Sequence, residues 1–405
     1  MKPGWTAAAL GDVVRFQSGG TPSRNHEGYW HGDLPWITGA DISPNGAITP
    51  RAHVTNSALS DSAARMVPAG TLLLVTRTAV GKNAVTTFPL AFSQDITAIT
   101  PSSHVDIGYL SRFLSSHAPQ LASAARGATI KGVTREVVSG IRIPLPPLDE
   151  QRRIAAALDY VDTLHAMRLE STRLLDAMPR ALFEELFVRG TMLSWPRTTV
   201  AEVASSAKSS IRTGPFGSQL LKEEFVDSGI PVLGIDNVVT NAFRWGDRRF
   251  IKPDKYRELE RYTVHPGDVL ITIMGTVGRC AIVPDDIPTA INTKHLCCIT
   301  LDQDRCLPEF LRASFLWHPD SLHYLNATKK GAIMAGLNMG IIKSLPLTLP
   351  PIWLQKEFAR RLDAVESVRS WTDGHLAELD ALFTSLQARA FAGELDVDNV
   401  RLPPA

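Results

Sequence analysis

Short apolar runs separated by Gly- and Pro-rich turns alternate, along this chain, with two long stretches whose apolar residues recur every three or four positions. The runs at 71–76, 96–99, 141–145, 269–273, 298–301 and 345–349 predict strands, and 107–115 and 308–316 predict helices between them. Pro146-Pro147 and Pro350-Pro351 then stop the chain from continuing as strand. Beyond each proline pair a helical period sets in. The first stripe is Ile154, Leu158, Val161, Leu164, Leu175, Met178, Leu182 and Leu186, broken in the middle by Arg168 and Ser171. The second is Phe358, Leu362, Val365, Val368, Leu379, Leu382 and Leu386, with Thr372 and His375 at its centre. Steps of three and four over nearly five heptads predict a coiled-coil seam. Each helix should run ~37 residues, or ~55 Å. Pro179 should kink the first, because it removes the bond to the Leu175 carbonyl, and Gly374 should weaken the second by about 1 kcal/mol.

The pattern occurs twice. Val67-Pro-Ala-Gly-Thr-Leu-Leu-Leu with Val80-Gly-Lys82 returns as Val264-His-Pro-Gly-Asp-Val-Leu-Ile with Val277-Gly-Arg279. Gly127-Ala128 with Gly132 returns as Gly331-Ala332 with Gly336, and Pro146-Pro147 leading to Gln151 returns as Pro350-Pro351 leading to Gln355. Two long copies make a pseudo-symmetric molecule rather than a solenoid, whose periods are shorter. Such a molecule suits a nearly two-fold target, of which duplex DNA is the commonest.

Connectivity sets the direction of helix pairing. Parallel helices would force residues 191–350 to enter and leave at points ~55 Å apart, whereas antiparallel pairing lets that segment begin and end at one place. The expected fold is therefore mixed α/β (α+β). Two tandem mixed domains are joined by two long antiparallel coiled-coil helices in a pseudo-two-fold arrangement. The expected divisions are a first mixed domain at 1–148, a helix at 149–191, a second mixed domain at 192–352, a helix at 353–395 and a tail at 396–405.

Composition narrows the class. With 405 residues and 44% apolar content, the chain can bury sizeable cores. No signal peptide is evident and no apolar run approaches the ~18 residues that span a bilayer, so a cytoplasmic protein without membrane association is expected. Cys280, Cys297, Cys298 and Cys306 lack C-x-x-C spacing, so no disulfide framework or metal site is expected. The net charge of +1 hides a division. Residues 1–145 carry +4 and 191–350 carry +2, while 146–190 carry −2 and 351–405 carry −3. Basic large segments suit a polyanion, and acidic helical segments suit protein contact.

Two basic globules on a stiff spacer would touch a duplex at two places, at most about 16 base pairs apart for a ~55 Å rod. The copies differ where reading would occur. Copy one opens with Ser18-Gly-Gly-Thr-Pro-Ser23-Arg24, and copy two with Arg212-Thr-Gly-Pro-Phe-Gly-Ser218. Both are small-residue loops that would let the backbone approach closely, each with an arginine for a phosphate or a guanine edge. The DNA-contacting candidates are Thr21, Ser23, Arg24, Arg77, Lys82 and Lys131 in the first copy. In the second they are Arg212, Ser218, Arg244, Arg248, Arg249, Lys294, Lys329 and Lys330. Trp245 beside those arginines reads as a wedge, a stacking platform or a half-buried core residue. No amino-methyltransferase Pro-Pro-aromatic motif, phosphate-binding G-x-x-x-x-G-K-[ST] loop, H-E-x-x-H helix or G-x-S-x-G elbow occurs. The chain reads as a recogniser with no catalytic site of its own.

These residues resemble the specificity subunit of type I restriction–modification systems over nearly the whole chain. The resemblance rests on the tandem halves and on Ser18 through Ser23, Leu34-Pro-Trp-Ile37, Thr76-Arg77 through Gly81-Lys82, Pro146-Pro-Leu-Asp-Glu-Gln151, and Phe183 through Phe187. It implies that each mixed domain reads one half of a split, asymmetric DNA site. It implies that the helices space the domains and dock DNA adenine methyltransferase subunits, with motor-endonuclease subunits completing the complex. S-adenosylmethionine, ATP and magnesium would bind those partners, leaving this chain without a cofactor. Copy two departs from the pattern with Pro350-Pro-Ile-Trp-Leu-Gln355, where Leu354 replaces an acid that favours a helix N-terminus. The alternative reading is a coiled-coil adaptor whose globules bind proteins and read no DNA sequence.

Overall fold

A computed structural model describes residues 2–127, 131–189, 195–328, 336–398 and 400, with the backbone alone for 329–330. The chain divides into two units, Met1–Glu170 with Gly374–Ala405, and Ser171–Asp373. Four helices frame the two units: α1 (Ile107–Ser116), α2 (Leu148–Phe183), α3 (Pro308–Trp317) and α4 (Ile352–Ala392). Unit 1 holds α1, the start of α2 and the end of α4. Unit 2 holds α3, the rest of α2 and the start of α4. No helix among the described residues is long and apolar enough to cross a membrane.

Among the described residues ten strands build unit 1: β1 (Thr6–Ala9), β2 (Val14–Ser18), β3 (Leu34–Ile37), β4 (Ala52–Val54), β5 (Arg65–Val67), β6 (Leu72–Val75), β7 (Asn83–Val85), β8 (Leu90–Phe92), β9 (Ile96–Pro101) and β10 (Arg142–Leu145). One antiparallel sheet has the order β2-β9-β6-β7, and a second has β4-β3-β8-β5 with β3 and β8 parallel. β1 and β10 form a separate pair. Strand β6 explains the layering. All four of its residues are apolar and buried, and side chains alternate between faces. Leu72 and Leu74 face the helices, packing with Tyr109, Phe113, Ile154 and Leu158. Leu73 and Val75 face the second sheet, packing with Ile37, Leu90 and Phe92. The first sheet is thus covered on both sides, and each fully buried leucine contributes about 1.5–3 kcal/mol.

Unit 2 repeats this plan with β11 (Arg197–Thr199), β12 (Ile211–Thr213), β13 (Phe225–Val226), β14 (Ile230–Leu233), β15 (Phe250–Ile251), β16 (Val269–Thr272), β17 (Cys280–Ile282), β18 (Ile291–Asn292), β19 (Leu296–Ile299) and β20 (Pro346–Thr348). The sheets run β12-β19-β16-β17 and β13-β15-β14-β18, with β14 and β18 parallel and β11–β20 as the separate pair. Val269 and Ile271 face the helices, whereas Leu270 faces the second sheet. The strand expected at 298–301 begins two residues earlier, because Leu296 and Cys297 already pair with β16.

The first turn of each long helix is tied down by a buried glutamine. Gln151 donates through Nε2 to the carbonyls of His104 and Pro146 and accepts from the Asp106 amide. Gln355 makes the same set, donating to Arg305 and Pro350 and accepting from Leu307. Both tie a long helix to the loop that starts α1 or α3. The last turns dock as well. In unit 1, Phe391 near the end of α4 meets Tyr109 and Phe113 of α1 edge-on. In unit 2, Phe187, just beyond α2, meets Phe310 of α3 and Phe358 of α4.

Pairing is antiparallel in each unit. In unit 1, Ile154 and Leu158 near the start of α2 share a core with Phe383, Leu386 and Ala390 near the end of α4, and His165 contacts Asp380 at 2.8 Å. In unit 2, Asp176 pairs with Arg369 at 2.9 Å, and Phe183 packs on Phe358. The N-terminal Trp5 packs into the same unit 1 core as Ala390, as antiparallel pairing requires. The chain continues helically through Pro179 as far as Phe183, then widens into a π-turn over Glu184–Arg189.

The seam differs from the apolar stripe at three positions. Met178, Val368 and Leu382 are 40–50% exposed. Their neighbours Pro179, Arg369 and Phe383 are the less exposed residues, and Leu164 is matched by a half-buried His165. Ile154, Leu158, Val161, Leu175, Leu182, Phe358, Leu362, Val365, Leu379 and Leu386 are all buried or half-buried. The physical reason is phase. The heptad steps run through His165, Thr172, Arg369 and Thr372, where apolarity marks Leu164 and Val368 instead, and at 382–383, where both residues are apolar, the step selects Phe383.

Replacing Gln151 or Gln355 by alanine leaves three backbone groups without partners, and should cost about 2–5 kcal/mol in denaturant unfolding. All four cysteines are buried. Burial pushes the Cys280, Cys297 and Cys306 thiols up to about 12 and Cys298 well above its ordinary value. A disulfide reagent at pH 8 should therefore modify none of them in native protein and all four after unfolding in guanidinium.

Candidate nucleic-acid interface

Each unit gathers its loops at one end of the two sheets. In unit 1, main-chain bonds join the loop after β6 to the β8–β9 turn (Thr76 N to Asp95 O, 2.8 Å) and to the segment before 134 (Val133 N to Thr76 O, 2.9 Å). The β8–β9 turn also joins β3 (Ser93 N to Ile37 O, 2.8 Å). Unit 2 repeats the bonds as Ile273 N to His295 O, Leu337 N to Ile273 O and Thr293 N to Leu233 O. Loops so joined present side chains from distant sequence positions on one surface.

In unit 1 this surface is a cleft of about 530 Å³ with Ser18, Arg77, Gln94, Arg126 and Arg135 in its wall. Among the described residues, three arginines and no acid line it. Arg135 donates to Ser18 Oγ at 3.0 Å and lies over the Phe16 ring, and Thr21 Oγ1 donates to Gln94. Lys131 is exposed at its rim, and its carbonyl accepts from Thr78. Arg24 is exposed over the Trp30 ring, whose Nε1 donates to the Ser23 carbonyl. Lys82 is turned inward instead, with Nζ donating to the Ile42 carbonyl at 3.2 Å. Arg126 and Arg135 were not among the candidates read from sequence. They lie 49 and 58 residues from Arg77 and are brought to it only by the fold.

Unit 2 builds a different surface on the same loops. Arg244 and Arg248 are exposed, and Arg248 lies over Trp245, whose ring is 41% exposed and braced edge-on by Phe243. Trp245 is therefore a surface ring rather than a core one. Arg249 pairs with Asp236, and Lys294 and His295 stand nearby. Burial lowers the His295 pKa, and the charges of Lys294 and Arg249 lower it further. Its imidazole is neutral near pH 7, so the positive charge here is carried by Arg249 and Lys294. Ser218 is exposed. The side chains of Lys329 and Lys330, and Ala128, Gly331 and Ala332, lie outside the described residues.

Arg212 is a correction. It sits in β12 with its side chain 9% exposed, and Nη2 donates to the Asp268 carboxylate at 2.8 Å and to the Thr263 carbonyl. Nη1 donates to Thr300 Oγ1. Asp268 also accepts from the His265 amide, Thr300 Oγ1 and Cys298 Sγ. With its guanidinium committed inside the domain, Arg212 offers nothing to a ligand. The glycines of the opening loops serve packing as well. A Cβ on Gly19 or Gly214 would run into the carbonyl of Phe92 or Asn292, the last residues of β8 and β18.

In unit 1 a short turn after β3 carries Asp41. Its Oδ2 accepts from the Thr38 amide and hydroxyl at 2.7 and 2.8 Å, and its Oδ1 from Arg51 Nε. Burial pushes this carboxyl up, but the Arg51 and Thr38 donors outweigh burial and hold it below the usual range.

Residues 2–174 and 216–380 match the family model described as Type I restriction modification DNA specificity domain. The chain is similar to the type I restriction enzyme MjaIX specificity subunit of Methanocaldococcus jannaschii, with 28% identity over 192 residues. That match covers 45% of this chain and only 44% of the relative. Similarity to the MjaVIII specificity subunit of the same organism is 21% over 413 residues, covering 98% of this chain and 94% of that protein. Among solved structures, the type I restriction–modification S subunit from M. genitalium shares the fold at TM-score 0.56 and 14% identity, over 96% of each chain.

Arg212→Ala would strand the buried Asp268 carboxylate and should cost about 3–5 kcal/mol in unfolding experiments. Arg248→Ala, at the surface, should change stability by less than about 0.5 kcal/mol.

Proposed function

The chain belongs to the family of type I restriction–modification DNA specificity domains, and on that premise we propose that it is the DNA-reading subunit of such a complex. Unit 1 reads one half of a bipartite, asymmetric duplex site and unit 2 reads the other. The observation that carries this reading is that two copies of one loop scaffold present unlike cationic surfaces. Arg77, Arg126 and Arg135 line a cleft in unit 1, whereas unit 2 offers Arg244, Arg248, Arg249 and Lys294 around an exposed Trp245. Arginine and lysine supply the phosphate attraction that duplex binding needs, and arginine, glutamine and serine can read base edges.

Methylation and cleavage belong to partner subunits in this proposal, an adenine methyltransferase that uses S-adenosylmethionine and a motor-endonuclease that uses ATP and magnesium. The long helices are the docking element. Exposed Tyr160, Met167 and Leu174 recur at seven-residue spacing along α2, an apolar stripe separate from its seam. Trp371 on α4 is exposed as well.

The test is to produce the chain with a methyltransferase partner in cells that lack other adenine methylation, and to map modified adenines by single-molecule sequencing. The expected result is one two-part sequence with unlike halves and a fixed gap. Modification without sequence preference, with the partner bound, would favour the protein-binding adaptor instead.

A further inference from the structure

We infer that Arg51 and Arg249 are specificity-determining arginines, each aimed by an aspartate of its own domain, Asp41 and Asp236, at a guanine in its half-site. The inference rests on the DNA-reading function proposed above and adds to it which side chains read and what holds them. In both units the arginine stands one residue before the strand that flanks β3 or β14, Arg51 before β4 and Arg249 before β15. In both units the acid lies in the short turn that follows β3 or β14. That turn belongs to the loop cluster, since β3 and β14 bond the Ser93 and Thr293 amides.

The pair is more than a device for closing the turn. In unit 1 one oxygen of Asp41 completes the cap with Thr38, while the other is given to Arg51 Nε. In unit 2 the cap is made by neutral Asn237, whose Oδ1 accepts from the Gly234 amide at 2.8 Å. The acid has moved to the adjacent Asp236, yet it still holds an arginine. Pairing with arginine therefore recurs where capping needs no charge. Gly234 keeps the space open, because a Cβ there would run into the Arg249 guanidinium and the Asp236 carboxylate.

In unit 1 exposure points the same way, whereas in unit 2 the two side chains are about equally exposed, 40% for Arg249 and 35% for Asp236. The Asp41 side chain is 5% exposed and that of Arg51 is 66% exposed, so the anchor is inside and the guanidinium outside. With Nε held, the two terminal nitrogens of Arg51 remain, and they match the O6 and N7 acceptors of guanine in the major groove. A long side chain already held by a carboxylate loses less freedom on contact than a free one. Arg249 is held through Nη2 instead, beside Lys294 and His295 on the basic face of unit 2.

The test uses the full chain assembled with its methyltransferase and a randomised duplex library, comparing wild type with Arg51→Gln, Arg51→Lys, Asp41→Asn, Arg249→Gln and Asp236→Asn. Wild type must first select a two-part sequence, and if it selects none the DNA-reading function itself fails. Given that sequence, Arg51→Gln should relax one G·C pair in one half by roughly ten- to a hundredfold and leave the other half intact. Arg249→Gln should do the same in the opposite half. Each Asp→Asn variant should relax the same base pair as its arginine partner, to a smaller degree. Arg51→Lys keeps the charge and tests the bidentate geometry if the glutamine variant does not fold. Uniform loss of affinity over all sequences would mean a phosphate contact, and an unchanged sequence with a lowered melting temperature would mean a purely structural pair. Either result overturns the inference.

Discussion

A single buried glutamine at the head of each long helix is the contact on which both units depend. Gln151 and Gln355 bond the same three backbone groups in their respective surroundings, tying the first helical turn to the proline pair before it and to the loop that begins α1 or α3. A helix of 36 or 41 residues has little intrinsic preference for where it leaves a domain. A buried amide with every donor and acceptor satisfied sets that point, since any other exit would leave polar groups without partners in a dry site. Aromatic docking finishes the task, with Phe391 on Tyr109 and Phe113 in unit 1, and Phe187 on Phe310 in unit 2. Each mixed domain thus receives the end of the helix that grows from the other copy.

Around that shared frame the two copies solve small problems differently. In unit 1 Glu150 follows Asp149 and takes bonds from Lys2 and Trp5, anchoring the N-terminus. In unit 2 the corresponding Leu354 packs against the core, and Trp195 meets Phe187. Trp353, the other departure in that motif, is 66% exposed. A further difference is internal. Arg212 and Asp268 place a hydrogen-bonded ion pair at the first sheet of unit 2, whereas unit 1 has Thr71 at the position of Asp268. Burying a pair this fully contributes little net stability, but losing one partner is costly, so the pair constrains which residues β12 tolerates.

Much of this frame is legible in the residues themselves. Leu72 through Val75 and Val269 through Ile271 form strands because a short uninterrupted apolar run fits a sheet covered on both faces. The proline pairs stop strands, and the period beyond them predicts helices, because both effects are local to a few residues. The internal repeat carried the antiparallel direction through connectivity alone. The family resemblance added the assignment to DNA reading, which neither periodicity nor charge carries by itself.

Three-dimensional packing decided the rest. Arg212 looks like an ideal ligand contact in a glycine-rich loop, and only the pairing of β12 with β19 turns it inward onto Asp268. Met178, Val368 and Leu382 look like seam residues, yet their neighbours Pro179, Arg369 and Phe383 are the less exposed, and the seam also takes in the polar His165, Thr172 and Thr372. Arg77, Arg126 and Arg135 share a cleft although their separations in sequence follow no motif. The sequence by itself determined the elements, their order and their duplication, because those follow from short-range sterics and hydrophobic period. Which charged side chains face outward, and which satisfy a buried partner, was settled only by tertiary contacts, because desolvation and pairing depend on neighbours tens of residues away.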